Sequence, residues 1–102
     1  TSTSHKAIAN YNDAVEMQEA GDNAAALAIF KKAIDEGLES WRVYTRYGNA
    51  LKDEGNFDAA IEAYNKAIQE APEEGRIRNN LGLAYTGKKD FDSAIAEYYR
   101  GI

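Results

Sequence analysis

Residues 41–74 read WRVYTRYGNALKDEGNFDAAIEAYNKAIQEAPEE. Tyr44, Tyr47, Gly48 and Leu51 recur at intervals of three and four, which puts them on one face of a helix. Ala60, Ile61, Tyr64, Ala67 and Ile68 do the same for a second helix. Between the two, Gly55 can take the left-handed backbone angles that stop a helix, and Asn56 is placed to cap the next one. Ser40 precedes the first helix as a cap, and Pro72, with Glu73, Glu74 and Gly75 behind it, ends the second. The stretch is a helix–turn–helix hairpin.

Displaced by 34 residues, the chain matches itself without insertions. Ala26, Ala60 and Ala94 coincide, as do Phe30, Tyr64 and Tyr98, and Ile34, Ile68 and Ile102. Ala33 and Ala67 fall opposite Gly101, and Ala14, Gly48 and Gly82 form a column of small residues. The turns repeat too, with Gly21-Asp22, Gly55-Asn56 and Lys89-Asp90 in register. A Gly inside a helix costs about 1 kcal/mol against Ala, so its recurrence at Gly48 and Gly82 requires a packing reason. Gly48 set against Ala60 lets two helices approach closely and the aromatics around them interlock.

With 102 residues, the chain holds one domain. Its net charge of -5 disfavours phosphate backbones and anionic lipid as partners, so nucleic acid is not expected. Single-stranded RNA on Arg42, Arg46, Arg76 and Arg78 is a remote reading for that reason. Cysteine is absent, which rules out disulfides, a thiol nucleophile and thiolate metal ligands within the chain. The longest apolar run, Ala24 to Phe30, is too short to insert in a membrane. No signal segment is visible, and a cytoplasmic location is favoured.

These residues resemble the tetratricopeptide repeat family, over residues 7 to 102. The second unit offers Tyr44, Tyr47, Gly48 and Leu51, then Ala60, Tyr64, Ala67 and Pro72. The third offers Arg78, Leu81, Gly82 and Tyr85, then Ala94, Tyr98 and Gly101. The resemblance implies an all-α fold, a right-handed superhelical array of three hairpins and six helices. The expected division is a tail over 1–6 and units 7–40, 41–74 and 75–102, the last incomplete. In the first unit Asn10 and Asp13 stand where apolar residues belong, while Ile8, Tyr11 and Val15 form a stripe one step round. Either that helix is rotated against its partner or it carries apolar residues on its binding face.

In proteins the chain is similar to, the first helix of every unit lines a groove that holds a peptide or a partner helix. The matching face runs through Arg42, Thr45, Arg46, Asn49 and Lys52, then Arg76, Asn79, Asn80, Leu83 and Thr86. The first unit supplies Ile8, Tyr11, Asn12, Val15 and Gln18. Arg grips a carboxylate in bidentate fashion and Asn amides bond an extended backbone, so an acidic or C-terminal peptide is the expected ligand. The bland alternative is a solvated helix face. Some members bind chaperone tails through a two-carboxylate clamp. Its places fall here on Tyr11, Val15, Arg46, Arg76 and Asn80, where only Arg76 keeps the expected charge.

Near the end of the chain Ile95, Tyr98, Tyr99 and Ile102 sit close together at helical spacing. Part of this stripe is expected on the third unit's own first helix. The rest implies that further repeats follow in a longer protein, which is favoured, or that two copies meet there as a homo-oligomer. No catalytic constellation is evident. His5 stands alone, Ser2, Ser4, Ser40 and Ser93 lack a relay partner, and Asp53-Glu54 and Glu73-Glu74 fall at turns. Asp90 and Asp92 are placed to start the last helix. Trp41 reads as a packing anchor ahead of a partner contact. A non-catalytic binding module without metal or cofactor is the expectation, with self-assembly through the last repeat as the alternative.

Overall fold

The computed structural model describes residues 2–102, with side chains from His5 onward. Among them six helices and no strand occur: α1 (Ser2–Glu19), α2 (Asn23–Asp35), α3 (Trp41–Asp53), α4 (Phe57–Glu70), α5 (Gly75–Gly87) and α6 (Phe91–Arg100). They pack as three hairpins, and α2 on α3 and α4 on α5 join each hairpin to the next. The result is an elongated body of 44 × 26 × 18 Å. The stretch expected as a tail is corrected: α1 is already helical at Ser2, and Thr1 lies outside the described residues.

The recurring turn has one geometry. Gly55 sits at φ +82°, and Asn56 N–H returns to the Leu51 carbonyl at 2.9 Å, closing the end of α3. Equivalent bonds run from Asp22 to Met17 and from Asp90 to Tyr85, both at 2.9 Å. In the third hairpin the left-handed position is filled by Lys89, at φ +68°. Asp22, Ser40 and Asp90 cap the following helices by accepting from Ala25, Val43 and Ser93. Asn56 occupies the cap position of α4 but makes no side-chain capping bond.

The column of small residues lies against the aromatic column of the facing helices. Gly48 faces Tyr64: a Cβ built on Gly48 falls 2.7 Å from the Tyr64 ring. Gly82 meets Tyr98 in the same way, at 2.6 Å. In the first hairpin the pair is Ala14 and Phe30, both fully buried, with the Tyr11 ring 6.0 Å from that of Phe30. Ala7 and Ala14 are the buried positions of α1, while Tyr11 and Val15 are half-buried at its edge. Asn10 donates to Glu36 and Asp13 is exposed. The shifted stripe of α1 therefore straddles the core and the inner face of the array.

Two stability changes follow. Gly48→Ala gains about 1 kcal/mol of helix propensity but overpacks the Tyr64 ring, at a cost of roughly 1–3 kcal/mol. Tyr64 is fully buried and cannot swing aside, so a net loss in urea unfolding is expected. Lys89→Gly removes a left-handed side chain that costs about 1–2 kcal/mol, offset in part by the greater freedom of Gly in the unfolded chain. A net gain of about 0.5–1 kcal/mol is expected in the same assay.

Candidate peptide-binding groove

The first helices of the three hairpins, α1, α3 and α5, share the inner face of the array. There they enclose an open cavity of about 400 Å³ lined by Tyr11, Trp41, Arg42, Thr45, Arg46, Asn49, Arg76, Ile77 and Asn80. Ile77, with no exposed surface, supplies the floor. Trp41, half-buried against the central core, supplies a wall. The Arg42 guanidinium lies over the Trp41 ring, 4.5 Å from its centre, an arrangement favoured by the negative ring face.

Arg46 is held from the neighbouring hairpin. Its Nη1 donates to Gln18 Oε1 at 3.3 Å, and Gln18 Nε2 donates to the Arg46 carbonyl at 2.8 Å. Arg76 is the more exposed guanidinium and pairs with Glu74 at 3.1 Å. Arg42 and Arg46 form no ion pair among the described residues, and no acid lines the cavity. Three guanidinium groups thus converge on one concavity of a chain with net charge -5.

Asn49 is oriented from the core. The Tyr64 hydroxyl donates to its Oδ1, which leaves the Asn49 NH2 as the free donor of that amide. Burial pushes the Tyr64 phenol well above its ordinary value, and Asp53 adds to the effect, so it remains a neutral donor. Thr45 contributes less: its hydroxyl is turned back to the Trp41 carbonyl at 2.6 Å.

Seven residues expected at the groove are therefore gathered: Tyr11, Arg42, Thr45, Arg46, Asn49, Arg76 and Asn80. Val15 packs instead with the first core cluster, and Lys52 lies in the last turn of α3, outside the cavity lining. Asn79 turns towards the end of α6, where a Cβ on Gly101 falls 2.8 Å from its Oδ1. Leu83 is exposed outside the cavity. Trp41, read from the sequence as a packing anchor, and Ile77, which the sequence left without a role, also belong to the lining. At the far end Ile95, Tyr99 and Ile102 are exposed, joined by Phe91, whereas Tyr98 is half-buried on Gly82.

A family model described as tetratricopeptide repeat matches residues 11–74 and again 46–102. The chain belongs to the tetratricopeptide repeat family. No curated protein matched the sequence. Among solved structures, two of MamA are each 28% identical over 96% of this chain, with TM-scores of 0.88 and 0.86. The chain spans 54% and 57% of those two, about half their length. MamA from Desulfovibrio magneticus RS-1 is 22% identical over 90% of this chain and 52% of its own, with a TM-score of 0.85. The second repeat domain of Spaghetti (RPAP3), solved bound to an HSP90 peptide SRMEEVD, has a TM-score of 0.87 at 13% identity. That match covers 96% of this chain and 91% of the other, and at such identity the likeness is one of fold. The tetratricopeptide fold is typical of protein–protein interaction modules. No helix among the described residues is long and apolar enough to cross a membrane.

The buried phenols give the repeats an alkaline limit. Tyr44, whose hydroxyl donates to Glu39 Oε1 at 2.7 Å, is pushed up to about 12 by burial, by that hydrogen bond and by the Glu39 charge. Tyr64 is raised as well. In the unfolded chain both ionise near the ordinary value of about 10, so above that pH the folded state holds more protons and loses stability as pH rises. Urea unfolding at pH 8 and pH 11 checks this. The expected result is weaker stability at pH 11, and a smaller loss when Tyr44 and Tyr64 are both Phe.

Proposed function

We propose that this chain is a non-catalytic protein-interaction module that holds an extended, carboxylate-bearing peptide segment across α1, α3 and α5. One observation carries the reading: Arg42, Arg46 and Arg76 converge on a cavity without an acid, and two of them lack an ion-pair partner among the described residues. An anionic side chain or chain terminus supplies what these groups lack, and each charge-assisted bond is shorter and stronger than a neutral one. The Asn49 and Asn80 amides are suited to the backbone of the same segment. Ile77, Trp41 and Tyr11 provide an apolar bed beneath it.

The fold is compatible with such a ligand. A domain of like fold is seen with SRMEEVD, a peptide carrying two Glu and an Asp. This chain does not share the two-carboxylate clamp for that tail, since Tyr11, Val15, Arg46 and Asn80 depart from it. The proposed ligand is an acidic segment in another register. A second reading, assembly through the last repeat, is favoured by the exposure of Ile95, Tyr99 and Ile102.

Trp41 is the one Trp of the chain and lines the cavity, so its fluorescence reports occupancy. Titration with a short Glu-rich peptide is expected to change that signal, while the Gln counterpart is expected to bind at least tenfold more weakly. The pair Asn49→Ala with Arg76→Ala is expected to abolish binding, and Arg46→Ala to weaken it about tenfold, with helical content intact by circular dichroism. Equal binding of the Gln peptide, or binding unaffected in the double variant, refutes the groove assignment.

A further inference from the structure

The arginines of the chain are Arg42, Arg46, Arg76, Arg78 and Arg100, and the structure divides them into two groups. Arg78 and Arg100 both bond Glu97, at 3.1 and 2.6 Å. The other three all open on the groove, whose lining includes no Lys. Guanidinium is thus the one cation this surface presents, and its planar fork matches the oxygens of a carboxylate or a phosphate.

Arg42 and Arg46 are held by neutral groups. The Trp41 ring lies against the face of Arg42, which leaves the N–H edge of that guanidinium open. Arg46 uses one nitrogen, Nη1, on Gln18 Oε1. Neither partner removes charge. The two residues stand four apart on α3, so their side chains are neighbours, and like charges at that spacing repel. An acid does reach the start of α3, but the Glu70 Oε2 accepts the Trp41 backbone N–H at 2.9 Å and lies outside the lining. Arg76, the equivalent of Arg42 on α5, pairs only with Glu74 and is 81% exposed at its side chain.

A single carboxylate does not balance this arrangement. It pairs with one guanidinium in bidentate fashion and leaves the neighbouring charge uncompensated. Two carboxylates within one helical turn repel each other in their turn. A phosphomonoester carries about -1.5 to -2 charges at pH 7 on three acceptor oxygens, so one group accepts from two or three guanidiniums at once. The patch does not extend further. Arg78 is turned to Glu97 and no other basic residue lines the cavity, so a polyanion such as RNA finds no row of cations to follow. The Asn49 and Asn80 amides in the same lining suit a peptide backbone, which favours a phosphate borne by a protein segment.

We propose that the segment held in the groove carries a phosphorylated Ser or Thr, its phosphate seated between Arg42 and Arg46 with Arg76 in reach. This names the ligand of the groove reading and rests on it. Phosphorylation of the partner then switches the interaction on, and a glutamate at the same place is a weaker substitute.

Trp41 fluorescence tests the proposal with three peptide pools, each with degenerate uncharged flanks around one fixed residue: Ser, Glu or phosphoserine. The phosphoserine pool is expected to bind at least about tenfold more tightly than the Glu pool, and the Ser pool more weakly than both. Arg42→Gln alone, a change at an exposed position, is expected to lower that preference about threefold. Arg42→Gln with Arg46→Gln is expected to bring it below about twofold, with helical content intact by circular dichroism. A single-stranded oligonucleotide, or inorganic phosphate, is expected not to displace the phosphoserine pool at equal phosphate concentration. Phosphoserine no tighter than Glu, in a protein that still prefers the Glu-rich peptide to its Gln counterpart, overturns the phosphate and leaves the groove reading standing. No binding of either the Glu-rich peptide or the phosphoserine pool overturns both. A preference for phosphoserine that survives in both variants overturns the seat between Arg42 and Arg46. Displacement by the oligonucleotide or by inorganic phosphate overturns a protein segment as the source.

Discussion

The hairpins of this structure depend on a small residue under an aromatic ring. Gly48 beneath Tyr64, and Gly82 beneath Tyr98, leave room for the ring to lie directly on the facing helix. The helix propensity forgone at Gly is smaller than the packing lost if the ring were forced out. The same contact reaches the surface: Tyr64 lies in the core, yet its hydroxyl ends on Asn49, which faces the groove. The residue that closes the hairpin is thereby also the one that aims a recognition amide.

The groove is assembled rather than carried by any one element. Arg46 belongs to α3, but Gln18 of α1 holds both its guanidinium and its carbonyl. Arg76 and Ile77 come from α5, and Trp41 positions Arg42 from within α3. The concentration of positive charge therefore arises from the stacking of hairpins, whereas the acids of the chain are spent at turns, caps and outer faces. Glu97, nearly buried, is matched by Arg78 and Arg100 at the far end and takes no part in the groove.

Much of this was legible in the sequence because the repeat is strict. A fixed displacement identifies which residues are equivalent, and helical spacing identifies which face each shares, so Arg42, Arg46, Asn49, Arg76 and Asn80 could be assigned to one surface. What spacing does not encode is how far a side chain reaches and what it prefers to touch. Asn79 shares the face of Asn80 within one helical step, yet it lies against Gly101. Val15 packs against the first core, formed by Ala14, Ala26, Phe30 and Ala50. Trp41 is large enough to pack on the core and still expose an edge, a dual role the repeat pattern alone does not reveal. The Tyr64 ring as the group lying on Gly48 was not named from the sequence, because matching columns give equivalence and not the contact across the hairpin.

The linear order of contacts has a mechanical consequence. Each hairpin rests chiefly on its immediate neighbours, and α1 touches α3 mainly along the inner face, where Gln18 meets Arg46. The body is therefore a short spring whose curvature is set by small rotations between adjacent units. The inner face shortens or lengthens as it bends. A segment lying from Tyr11 to Asn80 acts as a strut across that spring, fixing its bend and stiffening the second helices, which the segment itself never touches.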